Sequence, residues 1–428
     1  MANDKRLIDL TLDIETSRFS TRSFSDVLIL GITNKLKEKI TSISSSAELP
    51  DDTEIKEAAG VAFSQSSPLG YVYVAKVTPT KTVLNTIEGA ASYSVVINGQ
   101  EASGTKTSDL KAGITAAIGD SDVTVTTTDS AITIADPKAK GFILGDVEGF
   151  TVTETAESAT DALEAAVASG NDFFGIAIGA KDKTALVPSC EKFAEENKRL
   201  FFISDNKKDS TIFSKAKEAG LSYTSTWYGH SDYLDIAAMA KGFSYGIGSC
   251  NFANMTLSAV ETDALTESEY NALTKNNVNT YETIHNVNLT QNGIVASGEY
   301  IDIIRDSCSL YDELMTNLLG VLVNNKIPYT DDGIMTITEA IAKTLDKYVD
   351  NGFISKTETN GDGTTNKSYT IQAPRASSIP QNEKATRKLK GVKFQARIAG
   401  AVNHISMVGT ISYSNIDSGS VSLDMALA

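Results

Sequence analysis

A serine with glycine two residues away on either side, Gly242-Phe243-Ser244-Tyr245-Gly246, is the one string in this 428-residue chain that fits a hydrolase nucleophile turn. That chemistry needs a strand leading into the serine, a helix leading out, and an acid and a histidine later in the chain. His285 or His404 would have to act as the base, and residues 235–241 read as helix where a strand is required. The overlapping Gly246-Ile247-Gly248-Ser249-Cys250-Asn251 lacks the third glycine of a dinucleotide fingerprint, and no Gly-Lys-Ser/Thr phosphate loop exists. With three histidines (His230, His285, His404) and no close Cys/His pair, a zinc site is not expected. The turn at Asp362 lacks the spaced carboxylates of a calcium loop, and the acidic residues 261–269 read as a solvated face. His404, between apolar neighbours, reads as a core histidine on a strand, and Trp227 as packing at a strand end. The expectation is a protein that is not an enzyme, with no cofactor and no metal. A serine hydrolase using Ser244 is the alternative from another class, and it predicts labelling by a serine-reactive probe.

The elements that would position such residues read as α/β over part of the chain. Residues 26–31 and 70–77 are apolar runs of parallel-strand type, with a helical stretch at 51–66 between them. From 86 to 155 the chain is rich in Thr, Ser, Ala, Gly and Asp and reads as all-β, with a hairpin at Asn98-Gly99 and a second turn at Asp129-Ser130. The α/β rhythm then resumes: helices near 158–169, 184–198, 208–220 and 232–241 alternate with strands at 173–178, 200–204 and 222–228. Beyond Gly242 a hairpin is expected around Asn292-Gly293. The next helix carries Ile301, Ile304, Cys308, Tyr311, Met315, Leu318 and Leu322 on one face. A further helix starts near Asp331 or Asp332, turns Ile334, Ile337, Ile341, Leu345 and Tyr348 inward, and stops before Gly352. A turn at 357–366 and strand-like runs at 392–398 and 402–411 follow.

Both ends show strand periodicity. Ile8, Leu10, Leu12 and Ile14 alternate with polar residues, as do Val421, Leu423, Met425 and Leu427 with small or polar ones. Two readings stand: the arms pair within their own subunit, or they complete a neighbour's sheet by β-augmentation. The formal charge of −16 argues against nucleic acid. No apolar run is long enough to span a membrane, no secretory leader is expected, and three widely spaced cysteines fit a reducing cytoplasm. Within residues 375–397, Arg375, Lys384, Arg387, Lys388, Lys390, Lys393 and Arg397 face one acid, Glu383, giving +6 against −22 for the rest of the chain. A solvated basic face and a contact with an acidic protein surface are both consistent with that run.

The C-terminal half resembles the tail sheath proteins of phages with contractile tails. The resemblance rests on Ala296-Ser297-Gly298-Glu299-Tyr300-Ile301-Asp302-Ile303-Ile304-Arg305, on residues 324–334 (NNKIPYTDDGI), and on residues 391–402 (GVKFQARIAGAV). Tyr300 stands where many relatives carry Trp, and Lys390 where a Pro often precedes the glycine. The resemblance implies a structural subunit of hexameric rings stacked helically around an inner tail tube. Arms would link neighbours, baseplate and tail terminator proteins would be partners, and the location would be a virion tail sheath assembled in the host cytoplasm. It implies Lys384, Arg387, Lys388 and Lys390 as candidates for tube contact. A phage-derived contractile bacteriocin or injection system fits equally; a tube protein or a surface adhesin fits less well.

The expected fold class is α/β and α+β multidomain. A layered α/β core (21–85 and 156–242) would carry an inserted small β-domain (86–155). A C-terminal α+β sheath domain (243–412) and extended β-arms at 1–20 and 413–428 complete it.

Overall fold

The computed structural model describes residues 23–51, 53–323 and 325–406. After Ser23 come β1 (Val27–Ile32), β2 (Ile40–Ile43), α1 (Glu54–Phe63) and β3 (Val72–Val77). An excursion follows: β4 (Lys81–Thr86), β5 (Tyr93–Ile97), β6 (Gln100–Gly104), α2 (Thr107–Ile118), β7 (Thr124–Thr128), β8 (Ala131–Ala135), β9 (Leu144–Glu148) and β10 (Phe150–Thr155). The chain returns with α3 (Thr160–Ala168), β11 (Gly175–Ile178), α4 (Val187–Asn197), β12 (Leu200–Asp205), α5 (Thr211–Glu218), β13 (Thr224–Tyr228) and α6 (Leu234–Phe243). Then come α7 (Glu267–Thr274), β14 (Asn279–Ile284), β15 (Val287–Gln291), α8 (Ile301–Leu322) and α9 (Asp331–Asp350). The last described part holds β16 (Glu358–Thr359), β17 (Thr365–Asn366), β18 (Tyr369–Gln372), α10 (Gln381–Ala385) and β19 (Lys393–Ala396).

The main sheet has eight strands in the order β15-β14-β13-β12-β11-β1-β3-β2. Its inner neighbours are parallel, and β2 and β15 close the two edges antiparallel. Every residue of β11 and β13 is buried, which a parallel sheet achieves only with cover on both faces. The contacts fall into two groups, α1 with α6 and α3 with α4. The sheet runs past residue 242, where the C-terminal domain was expected to begin, because β14 pairs in parallel with β13. The expected hairpin is displaced as well. Its turn is His285-Asn286, both at positive φ, and Asn292-Gly293 lies after β15. There the Asn279 side chain accepts the Ile294 N–H at 2.8 Å and pins the chain as it leaves the sheet.

The excursion forms two small antiparallel sheets, β10-β4-β8-β7 and β6-β5-β9, around a core of its own. Asn98 and Gly99, both at positive φ, make the β5–β6 turn. It is not all-β: α2 packs Thr107, Leu110 and Ile114 inward. Its two strands of entry and exit meet where the Thr80 N–H donates to Thr155 O at 2.8 Å.

Candidate assembly interface

Helix α8, 22 residues and about 33 Å long, separates two cores. Ile301, Cys308 and Tyr311 are buried with the main sheet's core, whereas Leu310 and Leu314 join Ile341, Leu345, Tyr348, Phe353 and Ile354 in a second one. A helix with apolar surface on both sides makes the two bodies one packed unit.

Arg305 is 1% exposed, and its guanidinium is solvated by protein oxygens alone. Nε donates to Phe24 O at 2.7 Å, Nη1 to Gly242 O at 3.2 Å, and Nη2 to Ser25 Oγ at 3.3 Å and Tyr245 O at 2.9 Å. Gly242 and Tyr245 lie at the C-terminal end of α6, where the helix dipole favours a cation. The guanidinium also sits 4.8 Å from the centre of the Phe243 ring. On the next residue, Asp306 accepts the Gly248 N–H at 3.0 Å. Burial pushes its carboxyl up to about 7, against the lowering pull of Arg305. Burial also raises Asp302 one turn earlier.

The second core carries a two-stranded sheet on its surface. β18 and β19 pair antiparallel from Tyr369↔Ala396 to Gln372↔Lys393, and Arg397 N–H extends the ladder to Ser368 O. Hydrogen-bonded and non-bonded pairs alternate in such a ladder, so the main-chain groups of Phe394 and Ala396 point to the far edge of β19. Among the described residues no strand occupies that edge. Close by, Arg387, Lys388 and Lys390 are exposed and Lys384 half-buried, and none of the four has an ion-pair partner among the described residues. Arg397 does, with Glu358 at 2.9 Å. The segments on either side of α10 are fastened to the start of α9 and the loop before it: Ala376 N–H donates to Asp331 at 2.6 Å, and Tyr329 OH to Lys388 O at 3.0 Å.

Residues 301–411 match the family described as the E217 tail sheath protein gp31-like C-terminal domain. Over that stretch, about a quarter of the chain, it resembles the C-terminal domain of a contractile tail sheath protein. No curated protein matches it by sequence. Its fold resembles a chain in the cryo-EM structure of the anti-feeding prophage baseplate, 6-fold symmetrised. That comparison has a TM-score of 0.55 at 12% identity, covering 94% of this chain and 98% of that one. Weaker likenesses include the sheath tail protein of Desulfitobacterium hafniense (TM-score 0.45, 10% identity, 84% and 93% covered). Another is the sheath complex of the extracellular contractile injection system PVC in its contracted state (TM-score 0.48, 12% identity, 95% and 99% covered).

The residues expected to form arms, Ile8, Leu10, Leu12, Ile14, Val421, Leu423, Met425 and Leu427, lie outside the described residues. The four candidate tube-contact cations fall together on and just after α10. Ser244 does not sit in a nucleophile turn. It caps the C-terminus of α6, and its Oγ donates to Lys241 O at 2.7 Å, with helix rather than strand before it. His404 is exposed and on no strand, so the core-histidine reading fails, and residues 402–406 of the expected last strand are unpaired by any β-ladder. Trp227 is wholly buried within β13. Burial pushes the Cys250 thiol up to about 11, which makes it a poor nucleophile. At the carboxyl ends of β11 to β13, where open α/β sheets hold ligands, Lys183 instead answers Asp235 at 2.6 Å and Ser204 at 3.0 Å. Among the described residues no helix is long and apolar enough to cross a membrane, and no cluster of three or more His, Cys, Asp or Glu is placed to hold a metal. Arg305 and Asp306 escaped sequence reasoning. Their one signal was a charged pair inside an otherwise apolar helix pattern.

Proposed function

We propose that the chain is the structural subunit of a contractile sheath. It polymerises as stacked hexameric rings around an inner tail tube and contracts to drive the tube through the host envelope. The match of residues 301–411 to a tail sheath C-terminal domain carries this reading. The whole-chain likeness to a chain of the anti-feeding prophage baseplate supports it. That same likeness favours a second reading in the same class, the sheath of a phage-derived injection device.

The terminal arms supply main-chain hydrogen bonds to a neighbour's sheet, and the open edge of β19 has the geometry to accept a strand. Such a link survives rigid-body movement of the subunits, which a switch between two packings requires. Baseplate and tail terminator proteins bound the assembly, which is built in the host cytoplasm and resides in the tail. Lys384, Arg387, Lys388 and Lys390, unneutralised among the described residues, contact the acidic surface of the tube and set register more than affinity.

Reversing Lys384, Arg387 and Lys388 to Glu tests the tube contact. The triple variant should stay folded, since these side chains are exposed or half-buried, and should coat tubes poorly in a co-sedimentation assay. Normal coating would remove the tube contact from the account.

A further inference from the structure

The string that imitates a catalytic motif has a structural use. Residues 244–251 run from the end of α6 across α8 to the last described stretch of the chain. Arg305 holds the first end through Gly242 O and Tyr245 O, Asp306 holds the middle through Gly248 N–H, and Ile247 packs against both cores. The glycines just before it and within it fit this packing. A Cβ on Gly242 would fall 2.1 Å from the Phe252 ring, and one on Gly248, at φ +79°, 2.5 Å from Asn351 O.

Each end of this strap grips the root of one terminal segment. The guanidinium that takes Gly242 O and Tyr245 O also takes Phe24 O and Ser25 Oγ, directly after residues 1–22. Phe24 is buried against Phe174, 4.9 Å between ring centres, and Ser23 N–H donates to Asp172. At the other end Asn251 Nδ2 donates to Asn403 Oδ1 at 2.6 Å, and Asn254 Nδ2 reaches Asn403 O at 3.4 Å, shortly before residues 407–428. A cleft of about 310 Å³, lined by Gly248, Asp302, Asp306, Phe353, Ile398 and Ala401, leaves the strap space to shift.

We infer that residues 244–251, held by Arg305 and Asp306, form a junction that couples the roots of the two terminal segments, so that loosening one root loosens the other. This rests on the reading that the terminal segments link subunits. Under that reading, load arriving on one arm passes through α8 to the other without crossing the main sheet.

Hydrogen–deuterium exchange on the purified full-length chain tests the junction directly. Asn403→Ala changes a half-buried side chain at one root and leaves the fold intact; Arg305→Lys keeps the buried charge but loses the fork at the other. Asn403→Ala should speed exchange of the Ser23 and Ser25 amides, and Arg305→Lys that of residues 401–406, each by at least about threefold. The exposed control Lys111→Ala should change neither. Substitutions that each loosen only their own root would overturn the junction, whether or not the protein assembles. The linkage reading fails separately, if deleting residues 1–16 leaves wild-type polymers.

Discussion

Arg305 holds a positive charge in a site with no carboxylate hydrogen-bonded to it, so its stabilisation comes from carbonyl and hydroxyl dipoles already fixed by α6 and the Phe24–Ser25 segment. Hydrogen bonds to a charged donor are worth roughly 1.5–3 kcal/mol each, and orphaned buried carbonyls cost about 1–3 kcal/mol apiece. Arg305→Met should therefore cost about 3 kcal/mol or more by denaturant unfolding, and Arg305→Lys clearly less; equal losses would contradict dipole solvation of the charge. Asp306 makes a pH prediction. Its folded carboxyl titrates at about 7, well above its ordinary value, so between the two the folded state holds more protons than the unfolded chain. Stability should fall as pH rises through that window, be fully reduced above about 7, and lose part of this slope in Asp306→Asn. Unfolding free energies measured at pH 5 and pH 8 check it, and identical slopes would contradict it. Ser244→Ala deletes one capping hydrogen bond, so it should cost no more than about 1.5 kcal/mol. Serine-reactive probes should label neither form.

At the scale of elements, the excursion should behave as a separable unit, since its core is its own and its ends meet at Thr80 and Thr155. Joining Thr80 to Ala156 through a short glycine linker should leave a cooperatively unfolding remainder. The cost falls mainly on the contacts that Thr33, Asn34 and Lys76 make with Thr82, Leu144 and Glu154. A remainder without a sigmoidal unfolding transition would contradict this. The buried strands β1, β3, β11, β12 and β13 were legible because apolar runs between helical stretches have few other solutions, and α8 and α9 because their apolar faces are continuous. Helix α2 was not: its stripe is only Thr107, Leu110 and Ile114, in a Thr- and Ser-rich context that reads as strand. The β14–β15 turn was misplaced because His285-Asn286 and Asn292-Gly293 both take positive φ, and tertiary pairing decides between them. The G-x-S-x-G string misled for a plainer reason. Glycines demanded by the approach of Phe252 and Asn351 look the same in sequence as glycines demanded by a nucleophile turn.

On the scale of the whole molecule, two cores clamped by α8 make a rigid body with an outlying module; among the described residues its surface also carries an unneutralised basic cluster and an open sheet edge. Those are the parts a lattice of identical subunits needs: stiffness within the subunit and main-chain links between subunits. In the proposed sheath, contraction would draw on packing free energy stored at assembly. The junction at Arg305 would keep both links attached to that rigid body while neighbours rotate. The most direct test is negative-stain electron microscopy of the purified chain incubated with inner tubes, beside the 1–16 deletion. Striated, six-fold coats on the tubes are expected with the full-length chain and bare tubes with the deletion. Bare tubes beside a folded, monodisperse full-length chain would contradict the proposed function.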